Sequence, residues 1–235
     1  DTEDFCQSGF CNVNVNCPDA DPWANQIRSV AMILTASNSR LCTGSMVNNV
    51  RQDLTPYFLT ANHCMSGSPA TWIIMFNYQS PTCSPNVNGP LNYTVQGTQT
   101  RATNSASDFA LLLLNEAPPD TYYVHFNGWS AVDEPSQASV GIHHPRGDVK
   151  KICWDHHPVT SHAWSGTPAN SHWRVGQWEV GTTEPGSSGS PLFDQNKRVV
   201  GQLHGGAASG TVIDYDSYGK FSFSWNYVTT LSTRL

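Results

Sequence analysis

The sequence is poor in charge, and this scarcity weighs against several classes of protein. Only 13% of the 235 residues are charged and the formal net charge is −6 at pH 7, so the basic surface that nucleic-acid binding requires is lacking. No apolar run approaches the roughly 18 residues of a membrane span. Lysine is especially rare, with four lysines against eight arginines. We therefore expect neither a nucleic-acid partner nor a membrane partner.

The sequence also lacks the Cys-x-x-Cys spacing of a zinc site, although it contains seven cysteines. Because a reducing cytosol seldom tolerates several disulfides, the cysteines favour a secreted protein with one thiol left over. The chain starts at Asp1 without an apolar leader, and we interpret it as a mature form from which signal peptide and propeptide have been removed. Nothing in the sequence indicates a cofactor.

Histidine, by contrast, is abundant, and histidine is the commonest metal ligand. The nine histidines include the pairs His143-His144 and His156-His157. No His-Glu-x-x-His motif occurs, and the pairs fall in predicted strand and loop segments. We predict structural or surface roles and no metal site; the alternative is an ion at His143-His144.

Short apolar runs separated by 18 glycines and 15 prolines dominate the chain. Their spacing of about ten residues is typical of β-sandwiches and β-barrels. We predict an all-β protein in which residues 1–118 form an irregular N-terminal arm (residues 1–27) and a first barrel, and residues 119–235 form a second barrel. A short helix is expected at residues 225–231. The main predicted strands are residues 30–34, 41–47, 57–60, 72–76, 109–114, 140–143, 149–153, 173–180, 191–193, 198–204 and 218–225.

Two polar residues of the first half stand at ends of predicted strands. His63 follows a strand that ends in Thr-Ala, and a Cys42–Cys64 disulfide would hold that strand end to its neighbour. Asp108 opens the apolar run 109–114, where a buried carboxylate needs a donor or a charge partner. Taken singly, His63 also suits a hydrogen-bonded structural histidine, and Asp108 a cap at a strand edge.

A third polar residue, Ser188, lies in the stretch Gly-Ser-Ser-Gly-Ser-Pro at residues 186–191. The two glycines permit φ values that side chains forbid, so the backbone can turn sharply before the apolar run that follows. Taken singly, such a stretch is more often a loop. Three such motifs in the order His, Asp, Ser are improbable by chance, and that order belongs to the chymotrypsin clan.

The three motifs resemble those of the chymotrypsin-like serine proteases. They are similar to Thr-Ala-Ala-His-Cys, Asp-Ile-Ala-Leu-Leu and Gly-Asp-Ser-Gly-Gly-Pro of that family. A narrower similarity, to secreted bacterial lysyl endopeptidases, covers nearly the whole chain. It is carried by Cys11 and Cys17 and by residues 42–45, 77–83, 142–145, 183–191 and 201–206.

The resemblance implies two six-stranded antiparallel β-barrels and a serine protease mechanism. Ser188 is then the nucleophile, His63 the general base and later acid, and Asp108 the residue that orients His63. The N–H groups of Gly186 and Ser188 form the oxyanion hole. In digestive chymotrypsins an Asp before the serine pairs with the freed N-terminus; here that residue is Ser187, so the site must be ordered in another way.

The resemblance to lysyl endopeptidases also implies the substrate contacts. Asp216 is expected at the floor of the specificity pocket, where a substrate Lys or Arg supplies the cation that a buried carboxylate needs. Asp214 is a competing candidate, and an ordinary polar loop is the alternative to both. Trp164 and His204 match an aromatic pair beside the catalytic histidine, although Trp164 also suits the core. The adjacent glycines offer a strand edge to the peptide backbone; they are Gly205 and Gly206.

The resemblance implies a second disulfide, Cys17–Cys83. In that family the first N-terminal cysteine pairs with one in the loop after the Leu-His-Gly-Gly strand, but here the loop at residues 207–211 has none. Cys153 is an additional cysteine, and either Cys6 or Cys11 is its expected partner. Because the pocket wall is held differently, the preference for Lys over Arg stays open.

We therefore predict a secreted, monomeric serine endopeptidase that acts on polypeptides with exposed Lys. The scarcity of lysine supports this, since a lysine-specific protease would digest exposed lysyl bonds of its own. The alternatives are a trypsin-like Lys/Arg endopeptidase, a glutamyl endopeptidase, an inactive binding protein on the same fold and a secreted adhesion domain. Leu203 argues against the glutamyl type, which has a histidine near that position.

Overall fold

The computed structural model describes residues 8–227, 230 and 235, which form two sheets of antiparallel strands and the segments that connect them. Residues between the strands form turns, short 3-10 helices and two short α-helices, α1 (Ala24–Ile27) and α2 (Phe221–Asn226). No described helix has the length and apolar character needed to span a bilayer. The strands are β1 (Val13–Asn14), β2 (Val30–Leu34), β3 (Arg40–Val47), β4 (Tyr57–Ala61), β5 (Ile73–Met75), β6 (Thr94–Gln96), β7 (Thr98–Asn104), β8 (Phe109–Leu114), β9 (Ser139–His143), β10 (Lys151–Asp155), β11 (Thr160–His162), β12 (His172–Val175), β13 (Pro191–Asp194), β14 (Val199–Gly206) and β15 (Asp216–Lys220).

The first sheet closes on itself. Its order is β6-β5-β2-β3-β4-β8-β7, and its two end strands, β6 and β7, are separated in the chain by Gly97 alone. Gly97 has a φ of 85°, a value that glycine adopts without strain. β6 and β7 are therefore two halves of one bent strand, and the sheet is a six-stranded barrel.

The second sheet closes in the same way. Its order is β1-β10-β9-β13-β14-β15-β12-β11, and β10 and β11 are joined in the chain by residues 156–159. Counting these two as one bent strand gives six strands, to which β1 of the N-terminal arm adds an edge. The predicted all-β fold with two six-stranded antiparallel barrels is confirmed.

The strands of the first barrel lie between residues 30 and 114, and those of the second between 139 and 220. β1 pairs with β10, so the N-terminal arm joins the second barrel. The division at residue 118 stays a prediction.

The end of the chain differs from the expected strand at residues 218–225. The strand stops at Lys220, and α2 follows. Phe221 and Trp225, four residues apart, lie on one helix face and pack on Trp129 with ring centroids 5.0 and 4.9 Å away. The predicted short helix thus exists but begins earlier than residue 225; residues 228, 229 and 231 lie outside the described part of the chain.

Three strands that the apolar runs did not reveal are polar: β6, β7 and β11. In β7, residues 99–101 are exposed, so its sequence lacks the apolar signal of a buried strand. Pairing with β8, whose Leu112 and Leu114 are buried, holds it in the barrel.

Buried apolar side chains form one large cluster inside each barrel and one between them, with a smaller fourth cluster around Met32 and Tyr78. Ile33, Phe58 and Leu112 belong to the first barrel, and Trp173, Trp178 and Tyr218 to the second. The cluster between the barrels takes residues from both, namely Val30, Val47, Leu59, Phe109, Ile142, Ile152, Phe193 and Phe221 among others. The barrels are thus fused over a common core.

Two disulfides are present in the described residues, Cys17–Cys83 and Cys42–Cys64, and both predictions are confirmed. The predicted disulfide between Cys11 and Cys153 is wrong, because both are free thiols. Cys153 on β10 is fully buried in the second-barrel cluster, whereas Cys11 lies in the arm, where its N–H donates to the Gly210 carbonyl (3.3 Å). Cys6, the other expected partner, lies outside the described residues.

Candidate active site

His63 and Asp108 meet because β4 and β8 pair. Ala61 is opposite Phe109, so the residues just after β4 and just before β8 are neighbours. The His63 N–H donates to Asp108 Oδ1 (2.8 Å), and Nδ1 contacts Oδ2 (2.7 Å). A carboxylate only accepts, so Nδ1 carries the hydrogen and Nε2 keeps its lone pair. Asp108 is 2% exposed and has a φ of 54°, a left-handed conformation that Asp tolerates better than most residues.

Main-chain contacts place the turn that carries Ser188 against the first barrel. The Thr43 N–H donates to the Ser188 carbonyl (2.8 Å). Gly189 has a φ of 80°, and a Cβ on it would lie 2.2 Å from Thr60 Oγ1 and 2.7 Å from Ala61 N. Only glycine permits this approach, which brings Ser188 to the end of β4, where His63 follows. The Ser188 hydroxyl has no hydrogen bond within the described residues, including none to His63.

The N–H groups of Gly186 and Ser188 have no acceptor among the residues that the structure describes. The turn around them is held by its carbonyls: Thr43 Oγ1 donates to the Gly186 carbonyl (2.9 Å), and the Arg146 N–H to that of Pro185 (2.6 Å). Two unused donors on one rigid turn are what a predicted oxyanion hole requires.

His204 lies beside the His63–Asp108 pair, at a bulge in β14. The pairing of β14 with β15 shifts register between Leu203 and Gly205, and bulges of this kind redirect a side chain. The His204 ring stacks on Trp164 (4.4 Å between centroids) and on His63 (5.5 Å). Its Nδ1 is 3.7 Å from Asp108 Oδ2. The structure therefore brings Trp164 and His204 to the His63–Asp108 pair.

A chain of hydrogen bonds fixes the His204 ring. Thr167 donates its hydroxyl hydrogen to the Trp164 carbonyl (2.9 Å), so Ser171 must donate to Thr167 (2.8 Å). His172 Nδ1–H then donates to Ser171 (2.6 Å), and His204 Nδ1–H donates to His172 Nε2 (2.9 Å). Burial lowers the pKa of His172 to about 3 and also lowers the pKa of His204, so both rings are neutral at neutral pH.

Asp216 is a buried carboxylate without a cation. It is 1% exposed, and its Oδ2 accepts from Trp178 Nε1 and Thr183 Oγ1, both at 2.7 Å. Its Oδ1 is buried without a hydrogen-bond partner among the described residues. Burial raises the pKa of Asp216 to about 7, against the lowering effect of the two hydrogen bonds. Asp214, the competing candidate, is only half-buried and accepts from the Tyr215 N–H.

Gly205 and Gly206 form a strand end that is paired on one side. The pairing of β14 with β13 ends at Gln202, whereas its pairing with β15 continues to Gly206. Gly206 also lies against Asp216, since a Cβ on it would be 2.3 Å from Oδ1. The other backbone edge of these glycines has no strand partner in the described part of the chain.

Three groups of described residues have the side chains and spacing of metal ligands. In the group of Cys42, His63 and Cys64 the two cysteines form a disulfide with each other and have no thiolate to offer. His63, Asp108 and His204 are already engaged with one another and with His172. Buried Asp155 and the more exposed His157 and Glu179 form the third group, in which the hydrogen bond that His157 donates to Asp155 raises the pKa of His157. Such contacts suit ion pairing, and a protein without a metal site stays a prediction.

Several residues that hold the site residues by hydrogen bonds were not predicted from the sequence. His172 and Ser171 hold His204, while Trp178 and Thr183 hold Asp216. The only local signal was polar residues within apolar strands, since a buried polar group requires a partner. That rule does not say which partner.

Comparisons with known proteins show the family and the fold of this chain. Residues 5–221 match the family described as lysyl endopeptidase, C-terminal domain. The chain is 30% identical over 220 residues to the lysyl endopeptidase of Pseudomonas aeruginosa, covering 86% of this chain and 46% of that protein. It thus spans about half the length of that relative.

Among solved structures, the Rv3671c protease of M. tuberculosis in its active form matches with a TM-score of 0.56 and 18% identity, over 86% of this chain and 80% of that one. The inactive form matches with a TM-score of 0.54 and 16% identity, over 84% and 88%. At this identity the similarity shows the fold, and it confirms the predicted chymotrypsin-like architecture. The match to the family over most of the chain identifies this protein as a member of the lysyl endopeptidase family.

Proposed function

We propose that this protein is a serine endopeptidase that cleaves polypeptides after lysine. The observation that carries the proposal is Asp216, a buried carboxylate whose Oδ1 has no partner in the described chain. It contacts Thr183, which leads into the serine turn, and Gly206, at the free strand edge. A substrate ammonium at Oδ1 satisfies a charge that the folded protein leaves uncompensated.

The proposed mechanism gives each residue of the site one role. His63 Nε2 takes the Ser188 hydroxyl proton as Oγ attacks the scissile carbonyl, and it returns the proton to the leaving amine. Asp108 keeps the hydrogen on Nδ1 and stabilises the imidazolium. The N–H groups of Gly186 and Ser188 bind the oxyanion. Water then hydrolyses the acyl-enzyme by the same route in reverse.

Neutral aromatic and imidazole rings lie beside His63. Trp164 and neutral His204 stack in series on His63, and a neutral neighbour does not repel the imidazolium that forms during catalysis. The free edge of Gly205 and Gly206 pairs with an extended substrate backbone. We further propose that the protein is secreted, which its two disulfides support, and that it acts as a monomer.

A Lys/Arg endopeptidase is the second candidate, because Asp216 also suits a guanidinium. This candidate is supported by the loop at residues 207–214, which we call the pocket-wall loop, because it carries no disulfide. A glutamyl endopeptidase is disfavoured, since Asp216 repels an acidic side chain and Leu203 is buried in the core of the second barrel.

The test is a mass-spectrometric map of cleavage sites in a mixed denatured proteome. We expect cuts after Lys, and none from Ser188→Ala. Asp216→Asn should lower cleavage after Lys by roughly 100-fold or more, because breaking a buried ion pair costs about 3–5 kcal/mol. Asp214→Asn, two residues earlier in the chain, is the matched control and should change the rate by no more than about threefold, the cost of a substitution away from the pocket.

The distribution of cuts distinguishes the candidates. Cuts after both Lys and Arg would support the acidic pocket, but they would favour the second candidate, a Lys/Arg endopeptidase, over a lysine-specific one. Cuts after Glu or large apolar residues, or equal losses in Asp214→Asn and Asp216→Asn, would remove Asp216 from the pocket. Absence of cleavage by the folded wild-type protein would reject the endopeptidase.

A further inference from the structure

Within the described residues, the turn that carries Ser188 has no ion pair of the kind that orders digestive chymotrypsins. At the position of their aspartate stands Ser187, whose hydroxyl accepts from the Glu184 N–H (3.2 Å) and contacts His143 Nδ1 (2.8 Å). Burial lowers the pKa of His143 to about 3, so this partner is neutral. The Ser187 hydroxyl thus bonds to the backbone of the turn itself. Residues 184–190 contain one carboxylate, that of Glu184.

The Glu184 carboxylate is held by the N-terminal arm. Glu184 is 8% exposed, and its Oε2 accepts from the Gly9 N–H (2.8 Å) and from Asn12 Nδ2 (2.7 Å). A buried carboxylate is costly unless donors satisfy it. Because Glu184 begins the serine turn, the energy of these two hydrogen bonds depends directly on where the turn lies.

The arm is also held close to Glu184 by packing. A Cβ on Gly9 would lie 2.1 Å from the Gly210 carbonyl oxygen, and one on Gly210 would lie 2.4 Å from Glu184 Oε1. Arm, pocket-wall loop and Glu184 are therefore in direct contact in that order. The arm is itself fixed beyond Asn12, by the pairing of β1 with β10 and by Cys17–Cys83.

We propose that residues 9–12 are a brace that orders the serine turn, with Asn12 as a positioning residue that acts through the Glu184 carboxylate. The proposal rests on the proposed endopeptidase function for its effect on catalysis. In this proposal two neutral donors, the Gly9 N–H and Asn12 Nδ2, order the serine turn. In digestive chymotrypsins the charged N-terminus orders it.

The decisive variant is Asn12→Asp, which places a second carboxylate against Glu184 with almost no change of shape. We expect kcat to fall roughly tenfold or more, as the loss of a hydrogen bond to a charged group implies, with a smaller change in KM. The matched control is Asn16→Asp, because Asn16 in the same arm donates to the Ser80 carbonyl, away from the turn. This control should keep kcat within about twofold, as expected for a site that does not touch the turn.

Two readouts separate a positioning role from general destabilisation of the arm. Two adjacent carboxylates cannot both ionise easily, so the activity of Asn12→Asp relative to wild type should recover as the pH falls from 8 towards 5.5. Adding Glu184→Gln to Asn12→Asp removes the like-charge pair and should restore most of the lost kcat.

Amide hydrogen exchange tests the brace without activity, in proteins that also carry Ser188→Ala. Asn12→Asp should speed exchange in residues 184–190 by roughly tenfold or more, and Asn16→Asp should not. Equal exchange and equal activity in the two variants would overturn the brace. An inactive wild type in which Asn12→Asp still loosens the turn would reject the endopeptidase and keep the brace.

Discussion

At the scale of single residues, the Asp216 carboxylate destabilises the folded protein whenever it is ionised and no substrate is bound. Its pKa of about 7 lies above the ordinary value of 3.8, so the folded state binds the proton more tightly than the unfolded chain does. The stability from this preference is complete below about pH 4 and is lost as the pH rises through about 7. At most, roughly 4 kcal/mol is involved.

Asp216→Asn should therefore stabilise the protein at high pH. The amide oxygen can accept from Trp178 and Thr183 as Oδ2 does, while no charge is buried. We expect the free energy of unfolding of the variant, minus that of the parent, to increase between pH 4 and pH 8. Urea denaturation at several pH values measures it, in Ser188→Ala proteins to prevent self-digestion. A difference that does not change with pH, or that changes equally in Asp214→Asn, would contradict the account of Asp216.

At the scale of elements, the site depends on how closely the serine turn approaches β3 and β4. The approach passes through Gly189, where a Cβ would meet Thr43 O at 2.4 Å and Ala61 N at 2.7 Å. Backbone atoms cannot move aside as a flexible side chain can. One methyl group at residue 189 therefore pushes the turn away from the strand end that carries His63.

Gly166 offers a matched control for this contact. It has nearly the same φ, 82° against 80°, but nothing lies within 4 Å of a Cβ built on it. Both Gly→Ala changes carry the strain of a left-handed alanine, and Gly189→Ala adds overpacking of about 1–3 kcal/mol. Urea denaturation of both variants in the Ser188→Ala background, with kcat/KM of both in the active protein, tests this. Equal losses would show that the close approach is unimportant.

Elements were predicted well where they are apolar and poorly where they are polar. The run at residues 30–34 is the same as β2, and that at 109–114 is the same as β8. β7 and β11 have few buried residues and exist because a neighbouring strand offers hydrogen bonds. Residues 221–226 are helical because Trp129 provides a surface for Phe221 and Trp225.

At the scale of the whole molecule, the fold shields almost all of the lysines. Lys150, Lys151 and Lys220 are 0%, 3% and 1% exposed, and only Lys197 is exposed. Lys197 lies in a tight turn with a φ of 63°, closed by hydrogen bonds between Asp194 and Arg198. A protease that binds extended substrate along β14 cannot accept this turn without local opening.

Self-digestion of the native protein should therefore be slow and should begin after Lys197. Local opening of a surface turn costs far less than opening of a core strand, so the other three lysyl bonds should be cut only after global unfolding. Intact-mass spectrometry of the wild-type protein during storage measures the order of cuts. Lys197→Gln should abolish the first cut, whereas Arg198→Gln should not. A first cut after Lys150, Lys151 or Lys220 would refute this order.

The sequence by itself determined the fold class, the strand-end positions of His63, Asp108 and Ser188, and the Cys42–Cys64 disulfide. These features depend on apolar runs, turn residues and motifs that are local in the chain. Only the tertiary structure distinguished Asp216 from Asp214, left Cys153 without a disulfide and joined His172 to His204 and Asn12 to Glu184. The last two pairs are 32 and 172 residues apart, and burial and partner choice at such separations depend on how the two barrels and the arm pack together.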